Sequence, residues 1–158
     1  MKKTVLILGA SGVVGHSSVE QFLTEGCEVI SVSRRAPDLP SHQSHRHISV
    51  DLRDEAESRR VFSQLSEVTH VVYTALYEKP GLISGWSEAD QMEVNLQMMR
   101  NVMEPLCANA KGLKHVTTLQ GTKAYGIHLH PMPIPARERA PRDNHANFYW
   151  LQEDYIKQ

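Results

Sequence analysis

Apolar residues come in short runs along the chain, and most of these runs are followed by a stretch with helical spacing. The run from Thr4 to Leu8 is short, apolar and rich in β-branched residues, which is typical of a strand buried on both faces of a parallel sheet. Val13, Val19 and Phe22 then recur at helical spacing. We therefore predict a helix that ends at Gly26, a residue suited to the left-handed position after a helix.

The same alternation continues beyond Gly26. Asp54 is a candidate N-cap, and Pro105 is expected to kink or shorten the longest helix. The predicted strands are Glu28–Val32, Ile48–Val50, Val68–Thr74 and Leu113–Leu119, and the predicted helices are Glu55–Leu65, Glu88–Ala110 and one that begins at Asn147. Strands alternating with helices predict an α/β fold, a Rossmann-like doubly wound parallel sheet of at least five strands.

Three segments lack a clear period and are predicted to be loops: 37–47, 76–87 and 124–146. The first contains His42, His45 and His47, but no cysteine or carboxylate is spaced to complete a metal shell. We therefore expect a solvated surface loop there rather than a metal site. His128 and His130 in the third loop are likewise expected to be surface histidines.

Charge and cysteine content indicate which partners and which cellular location to expect. The 158 residues carry a formal net charge of −1, so no basic or acidic field suggests nucleic acid or a membrane surface as a partner. Cys27 and Cys107 are far apart and form no C-x-x-C motif, which favours a reduced, cytoplasmic location. The apolar run after Lys2 and Lys3 is too short for a signal peptide. We expect one domain spanning residues 1–158.

The residues after the first strand suggest a phosphate-binding turn. Gly9, Gly12 and Gly15 follow at the spacing G-x-x-G-x-x-G. In a Rossmann fold the first glycine allows the tight turn, the second lets the backbone approach a pyrophosphate, and the third lets helix and strand pack closely. The backbone from Gly9 to Gly15, including Ser11, Val13 and Val14, is therefore predicted to bind a dinucleotide.

The end of the second strand indicates which dinucleotide. Ser33, Arg34 and Arg35 stand where an acidic residue normally holds the ribose 2′-hydroxyl of NAD, whereas arginine accommodates the 2′-phosphate of NADP. We therefore predict NADPH as the cofactor, with a solvated basic turn as the alternative. The remaining candidates lie at other predicted strand ends: Asp51, Leu52, Thr74 and Ala75.

Four stretches together resemble a known family. They are Gly9–Gly15, Ser33–Arg35, the run LQGTKAYG at 119–126 and the run NFYWLQED at 147–154. With them the chain resembles the atypical extended short-chain dehydrogenase/reductases of the progesterone 5-beta-reductase and iridoid synthase type, including bacterial relatives. The resemblance covers essentially the whole chain, but only the N-terminal part of that family's longer sequence.

The resemblance implies a catalytic pair. In this family the lysine comes from the G-T-K loop and the tyrosine from the N-F-Y motif, which implies Lys123 and Tyr149 here; Trp150 stands where a second tyrosine is common. The implied chemistry is NADPH-dependent 1,4-reduction of an activated enone. The phenol would donate to the enolate oxygen, with a nearby ammonium lowering its pKa. The alternative is a solvated lysine and a packing tyrosine.

The length of the chain leaves two functions open. Relative to the family, it is truncated before the last strands and the substrate region, so we expect a fragment or a naturally short protein. It is then either an enone reductase, or the cofactor-binding part of one, or a non-catalytic NADP(H)-binding sensor or regulatory module. Apolar surface left uncovered would favour a homodimer or a tendency to aggregate.

Overall fold

The computed structural model describes residues 3–79 and 88–158. Strands and helices alternate along the chain as predicted, except that the third strand follows the second with no helix between them. The strands are β1 (Thr4–Leu8), β2 (Glu28–Ser33), β3 (His45–Ser49), β4 (His70–Tyr73) and β5 (His115–Thr118), and the helices are α1 (Val13–Thr24), α2 (Glu55–Phe62), α3 (Ala89–Asn109) and α4 (Phe148–Ile156).

The five strands form one sheet in the order β3-β2-β1-β4-β5, and every neighbouring pair is parallel. The chain builds outward from β1 to β3 on one side, and β4 then begins the other side. Because the order reverses beside β1, ligands are expected at the carboxyl ends of β1 and its neighbours. The prediction of a Rossmann-like parallel sheet is confirmed.

The core forms around the central strand. All five residues of β1 are buried, as expected for a strand with a neighbour on each side. On one face, Val5 and Ile7 join Val19 of α1 in a cluster, with Phe22 and Leu23 of the same helix packed against it. The helical spacing of the apolar residues therefore turns one side of α1 onto the sheet.

The chain divides into two compact units. The first contains the residues up to Leu76 together with Gln97–Thr118, and so the whole sheet. The second contains the described residues between Tyr77 and Leu96 together with Leu119–Gln158. None of the helices within the described ranges is long and apolar enough to cross a membrane.

The prediction for the third strand was wrong at its start. β3 begins at His45, so His45 and His47 lie in a strand and not in a solvated loop. The hydroxyl of Ser31 lies 2.8 Å from His45 Nε2 and 3.0 Å from His47 Nδ1, and partial burial lowers the pKa of both histidines. β3 is at the end of the sheet, where a strand with polar, half-exposed residues gives little hydrophobic signal.

Helix ends follow the predictions in part. Asp54 caps α2 by accepting a hydrogen bond from the Glu57 amide (2.9 Å), and Gly26 is left-handed with φ 74°. However, α2 ends at Phe62, before Leu65. Pro105 does not end α3, which continues to Asn109, although a proline inside a helix removes one backbone hydrogen bond.

The remaining two loop predictions can be compared with the structure only where the residues are described. Of the predicted loop 76–87, residues 80–87 lie outside the described residues. Residues 126–146 are all described and form turns and bends without a helix or strand, as predicted. They are preceded by a short 3-10 turn, Thr122–Tyr125.

Candidate active site

The glycine turn begins with a residue that has to be glycine. Gly9 has φ +82°, and a Cβ added there would lie 2.8 Å from Ala75 Cα and from the Thr74 hydroxyl. A side chain at this position would be both strained and too close to the backbone after β4. The Gly9 amide also donates to Val32 O at 2.8 Å, which ties the turn to β2.

The third glycine lies against the first. A Cβ added at Gly15 would be 2.2 Å from Gly9 O, and in Rossmann turns glycine at this place allows the helix to pack closely on the strand. The middle glycine, Gly12, donates from its amide to the same oxygen at 3.0 Å. The geometry of the turn is therefore set by the backbone.

The start of α1 is suited to an anion. Its N-cap, Gly12, has no side chain to bond the first amides, and the first turn contains no acidic residue. Val13 is 88% exposed, Val14 is half exposed and Ser11 is exposed. Unfilled first-turn amides and the helix dipole together favour a phosphate at this position.

Ser33, Arg34 and Arg35 form a turn whose backbone is held in place. The Ser33 hydroxyl donates to Arg35 O at 2.6 Å, and the Ser49 hydroxyl donates to Arg34 O at 3.0 Å. Both arginines are exposed. The two guanidinium groups therefore lie at the surface, at the carboxyl end of β2.

Three of the remaining cofactor candidates already have protein partners. Asp51 pairs with Arg53 at 2.6 Å, and this hydrogen bond holds the pKa of Asp51 below its ordinary value. Leu52 is buried and accepts a bond from Asn101 Nδ2 at 2.9 Å on its carbonyl oxygen. The Thr74 hydroxyl donates to Leu8 O at 2.6 Å.

The structure brings the predicted cofactor residues to one edge of the sheet in the first unit. They follow the carboxyl ends of β1, β2, β3 and β4: Gly9, Ser11, Gly12, Val13, Val14, Gly15, Ser33, Arg34, Arg35, Asp51, Leu52, Thr74 and Ala75.

Lys123 lies in the second unit, in the short turn Thr122–Tyr125. Its Nζ is 3.7 Å from Glu78 Oε1. The backbone on both sides of Glu78 is held by hydrogen bonds from α3. Asn95 bonds the backbone N and O of Tyr77 at 2.9 and 2.8 Å, and Gln91 accepts from the Lys79 amide at 2.9 Å. The sequence analysis missed Glu78, because nothing in the sequence distinguishes it within an irregular segment.

Tyr149 is the second residue of α4, and its side chain is partly buried. Burial raises the pKa of the Tyr149 phenol, the Glu78 charge raises it further, and a backbone hydrogen bond with Gly121 acts in the opposite direction. The direction is opposite to the expectation of a pKa lowered by the lysine. The main cause is burial of the phenol, and the charge of the Glu78 carboxylate acts in the same direction.

The loop before α4 contains a group of polar residues. Asp143 Oδ2 lies 2.9 Å from His130 Nε2 and 3.0 Å from His145 Nδ1. Gly126 is left-handed, and a Cβ added there would be 2.0 Å from the same oxygen. His128 is not a plain surface residue, because its ring packs edge-on against His145 and burial lowers its pKa.

The acidic pair of the NFYWLQED run anchors this loop. The Arg142 guanidinium donates to both carboxylate oxygens of Asp154, at 2.9 and 2.7 Å, and lies 3.2 Å from Glu153. It also lies over the Trp150 ring, 4.8 Å from the centroid. Across residues 3–79 and 88–158, no three His, Cys, Asp or Glu side chains group as a metal ion would require.

A parallel sheet with a glycine turn after its first strand and an open helix start defines a dinucleotide-binding protein of the Rossmann type. The chain belongs to the NAD dependent epimerase/dehydratase family, whose sequence profile matches residues 5–152.

Curated relatives agree with the predicted resemblance. A 3-oxo-Delta(4,5)-steroid 5-beta-reductase of Arabidopsis thaliana is 31% identical over 98% of this chain and 41% of its own. An (S)-8-oxocitronellyl enol synthase of Nepeta racemosa is 31% identical over 96% of this chain and 40% of its own, and one of Catharanthus roseus is 29% identical over 98% and 40%. The chain thus spans about two fifths of the length of these relatives.

Solved structures share the fold. The Bordetella bronchiseptica enzyme WbmG, solved with NAD and UDP, superposes with a TM-score of 0.74 at 23% identity, covering 100% of this chain and 50% of its own. UDP-glucose 4-epimerase of Bifidobacterium longum, solved with NAD+ and UDP, gives a TM-score of 0.75 at 22% identity, covering 98% and 48%.

Proposed function

We propose that this chain is an NADPH-dependent reductase of activated enones acting by 1,4-reduction, or the cofactor-binding part of one. The observation that carries the proposal is the Tyr149 phenol, which is partly buried, has a raised pKa and shares a compact unit with Lys123. Both residues stand in motifs by which the chain resembles 5-beta-reductases and iridoid synthases. The names of the relatives, a steroid 5-beta-reductase and two enol synthases, agree with this reaction class.

The residues at the sheet edge fit a dinucleotide. Backbone contacts at Gly9 and Gly15 leave no room for side chains, and the start of α1 is uncapped. We propose that this turn binds the pyrophosphate and that Arg34 and Arg35 bind the 2′-phosphate of NADPH. Bound NADPH would supply the hydride that the β-carbon of the enone accepts.

Tyr149 would be the proton donor. Reduction at the β-carbon leaves negative charge on the carbonyl oxygen of the substrate, and a neutral phenol is a good donor to that oxygen. A phenol is already protonated at neutral pH, and burial, which raises the pKa of Tyr149, favours this neutral form further. The Lys123 ammonium adds a positive charge, and Glu78 at 3.7 Å holds it in place.

The test is NADPH consumption with 2-cyclohexen-1-one, followed by the loss of nicotinamide absorbance. We expect turnover by the natural protein, and about a 100- to 10,000-fold loss in Tyr149→Phe, the usual range for a general acid. Tyr155→Phe on the same helix is the matched control and should keep its activity. Undiminished turnover in Tyr149→Phe would refute the role of Tyr149.

Binding of NADPH without its consumption would distinguish a non-catalytic binding module from an enone reductase. If NADPH binds tightly, as measured by calorimetry, and a panel of enones leaves it unconsumed, the chain is better described as a non-catalytic NADP(H)-binding module.

We further propose a cytoplasmic homodimer. Both cysteines are free thiols, which suits a reducing compartment. Exposed apolar side chains in the second unit, Ile127, Leu129, Ile134 and Leu151, offer surface for association. A molecular mass that stays monomeric in light scattering over a wide concentration range would count against the dimer.

A further inference from the structure

The carbonyl oxygen of Lys123 has two hydrogen-bond donors and a histidine ring nitrogen close to it. It accepts from the Gly126 amide at 3.2 Å and from Asn147 Nδ2 at 3.0 Å, and His145 Nε2 lies 3.2 Å away. A carbonyl oxygen has two lone pairs. The Gly126 and Asn147 donors fill both, so the backbone of Lys123 is held from its own turn and from the residue before α4.

Both the nitrogen and the oxygen of the Asn147 side-chain amide make polar contacts. Besides the bond to Lys123, its Nδ2 lies 3.1 Å from His145 Nε2, and its Oδ1 accepts from the Tyr149 amide at 3.0 Å as the N-cap of α4. The residue is only 3% exposed. One buried amide therefore contacts the backbone of both residues of the implied catalytic pair.

His145 completes the arrangement. Since Asn147 has a second N–H directed at Nε2, that nitrogen best serves as the acceptor, which leaves the proton on Nδ1. Nδ1 lies 3.0 Å from Asp143 Oδ2. The negative charge of Asp143 thus lies close to Nδ1, although the geometry of this contact does not make a hydrogen bond.

From this geometry we infer that Asn147 is a positioning residue that holds Lys123 at a fixed place relative to Tyr149. This inference rests on the proposed function for its catalytic meaning. An N-cap alone needs only the acceptor oxygen, whereas the amide nitrogen is committed to the Lys123 turn. The two roles can therefore be separated by substitution.

Asn147→Ser keeps an N-cap hydroxyl but is too short to bond the Lys123 carbonyl. Asn147→Asp keeps the shape and the cap acceptor but replaces the N–H donor by an oxygen. We expect kcat with 2-cyclohexen-1-one to fall about 10- to 100-fold in both, the scale of a misplaced catalytic group, with KM nearly unchanged. Asp54→Ala removes the cap of α2 in the first unit and should leave kcat unchanged.

A second readout does not depend on turnover. The phenol of Tyr149 can be titrated by NMR in protein carrying labelled tyrosine, with Tyr149→Phe to assign the signal. We expect its pKa to fall toward the ordinary value in Asn147→Ser, because the phenol loses its buried place beside Gly121. Circular dichroism would verify that the variant is folded.

The outcomes are distinct. A natural protein that consumes no NADPH refutes enone reduction by this chain, and the Tyr149 titration then decides the role of Asn147 by itself. If folded Asn147→Ser retains both the kcat and the Tyr149 pKa of the natural protein, Asn147 is only a helix cap and the inference is overturned.

Discussion

The two compact units fix their candidate residues by different means. In the first, the turn from Gly9 to Gly15 is set by backbone atoms so close that no side chain fits. In the second, Lys123 is held by side chains that are distant in sequence, Asn147 and Glu78. Adding a side-chain atom to the glycine turn should therefore disrupt it. The side-chain contacts of the second unit can instead be removed singly, one hydrogen bond or one charge at a time.

The largest effect is expected from adding one methyl group to the glycine turn. Gly15→Ala would place a Cβ 2.2 Å from Gly9 O and 2.8 Å from Gly9 C, both backbone atoms that have little freedom to move. Overpacking of this kind costs about 1–3 kcal/mol of unfolding free energy or more. We expect a lower melting temperature and loss of NADPH binding.

Gly112→Ala is the control for that change. Its nearest neighbour would be Thr69 Cγ2 at 4.0 Å, and the backbone there needs no left-handed conformation. This variant should melt and bind as the natural protein does. Equal behaviour of the two variants would show that the turn is not set by backbone contacts.

Removing the arginines should change cofactor choice rather than folding. Replacing Arg34 and Arg35 by serine removes two exposed guanidinium groups, and hydrogen bonds to charged groups are worth about 1.5–3 kcal/mol each. We expect NADPH to bind at least about 10-fold more weakly, with NADH binding little changed, in calorimetric titrations. Arg59→Ser on α2 is the control, and equal affinity of the natural protein for both cofactors would contradict the assignment.

Removing the charge of Glu78 in the second unit should shift the pKa of Tyr149 by a moderate amount. Glu78→Gln removes the negative charge that raises the Tyr149 pKa, so the phenol should titrate at lower pH and the alkaline limb of the kcat profile should shift in the same direction. The measurement is a pH–rate profile with a tyrosine titration. Glu93→Gln on the exposed side of α3 is the matched control; an unshifted Tyr149 in Glu78→Gln would remove Glu78 from the site.

The smallest effect is expected from the histidine pair in the loop. A hydrogen bond with the Pro131 backbone and then one with Asp143 raise the pKa of His130, and His130 lowers the pKa of Asp143. The stabilisation is thus present between the ordinary values of 3.8 for the aspartate and 6.5 for the histidine. It is lost as the pH falls through the folded-state pKa of Asp143 or rises through that of His130.

His130→Gln should therefore lower the melting temperature slightly near pH 5 to 6 and hardly at all in alkaline buffer. His115→Gln, in the first unit, provides the comparison. A difference between the natural protein and His130→Gln that grows with rising pH would contradict the assigned direction.

The same contrast explains what could be predicted from the sequence. The turn at Gly9 depends on neighbours in the chain and on strand order, both of which leave a clear pattern, so the fold class and the strand ends follow from the residues alone. Glu78 lies beside Lys123 only because Asn95 and Gln91 hold its segment. Contacts between polar side chains far apart in sequence leave no period or spacing to find.

The predictions for the polar strand β3 and for the polar contacts of the loops failed for a related reason. His45 and His47 belong to β3 because they pair with β2, although neither residue is typical of a buried strand. The N-cap role of Asn147 could have been predicted from its place before α4, but its bond to the Lys123 carbonyl could not, because it depends on the path of 20 or so irregular residues between them.

The central claim is that this chain uses NADPH to reduce an enone at its β-carbon. The most direct measurement is incubation with 2-cyclohexen-1-one and NADPH deuterated at nicotinamide C4, followed by mass spectrometry and NMR of the product. We predict cyclohexanone carrying one deuterium at C3. Deuterium at the carbonyl carbon of an allylic alcohol, or no transfer while NADPH remains bound, would contradict the claim.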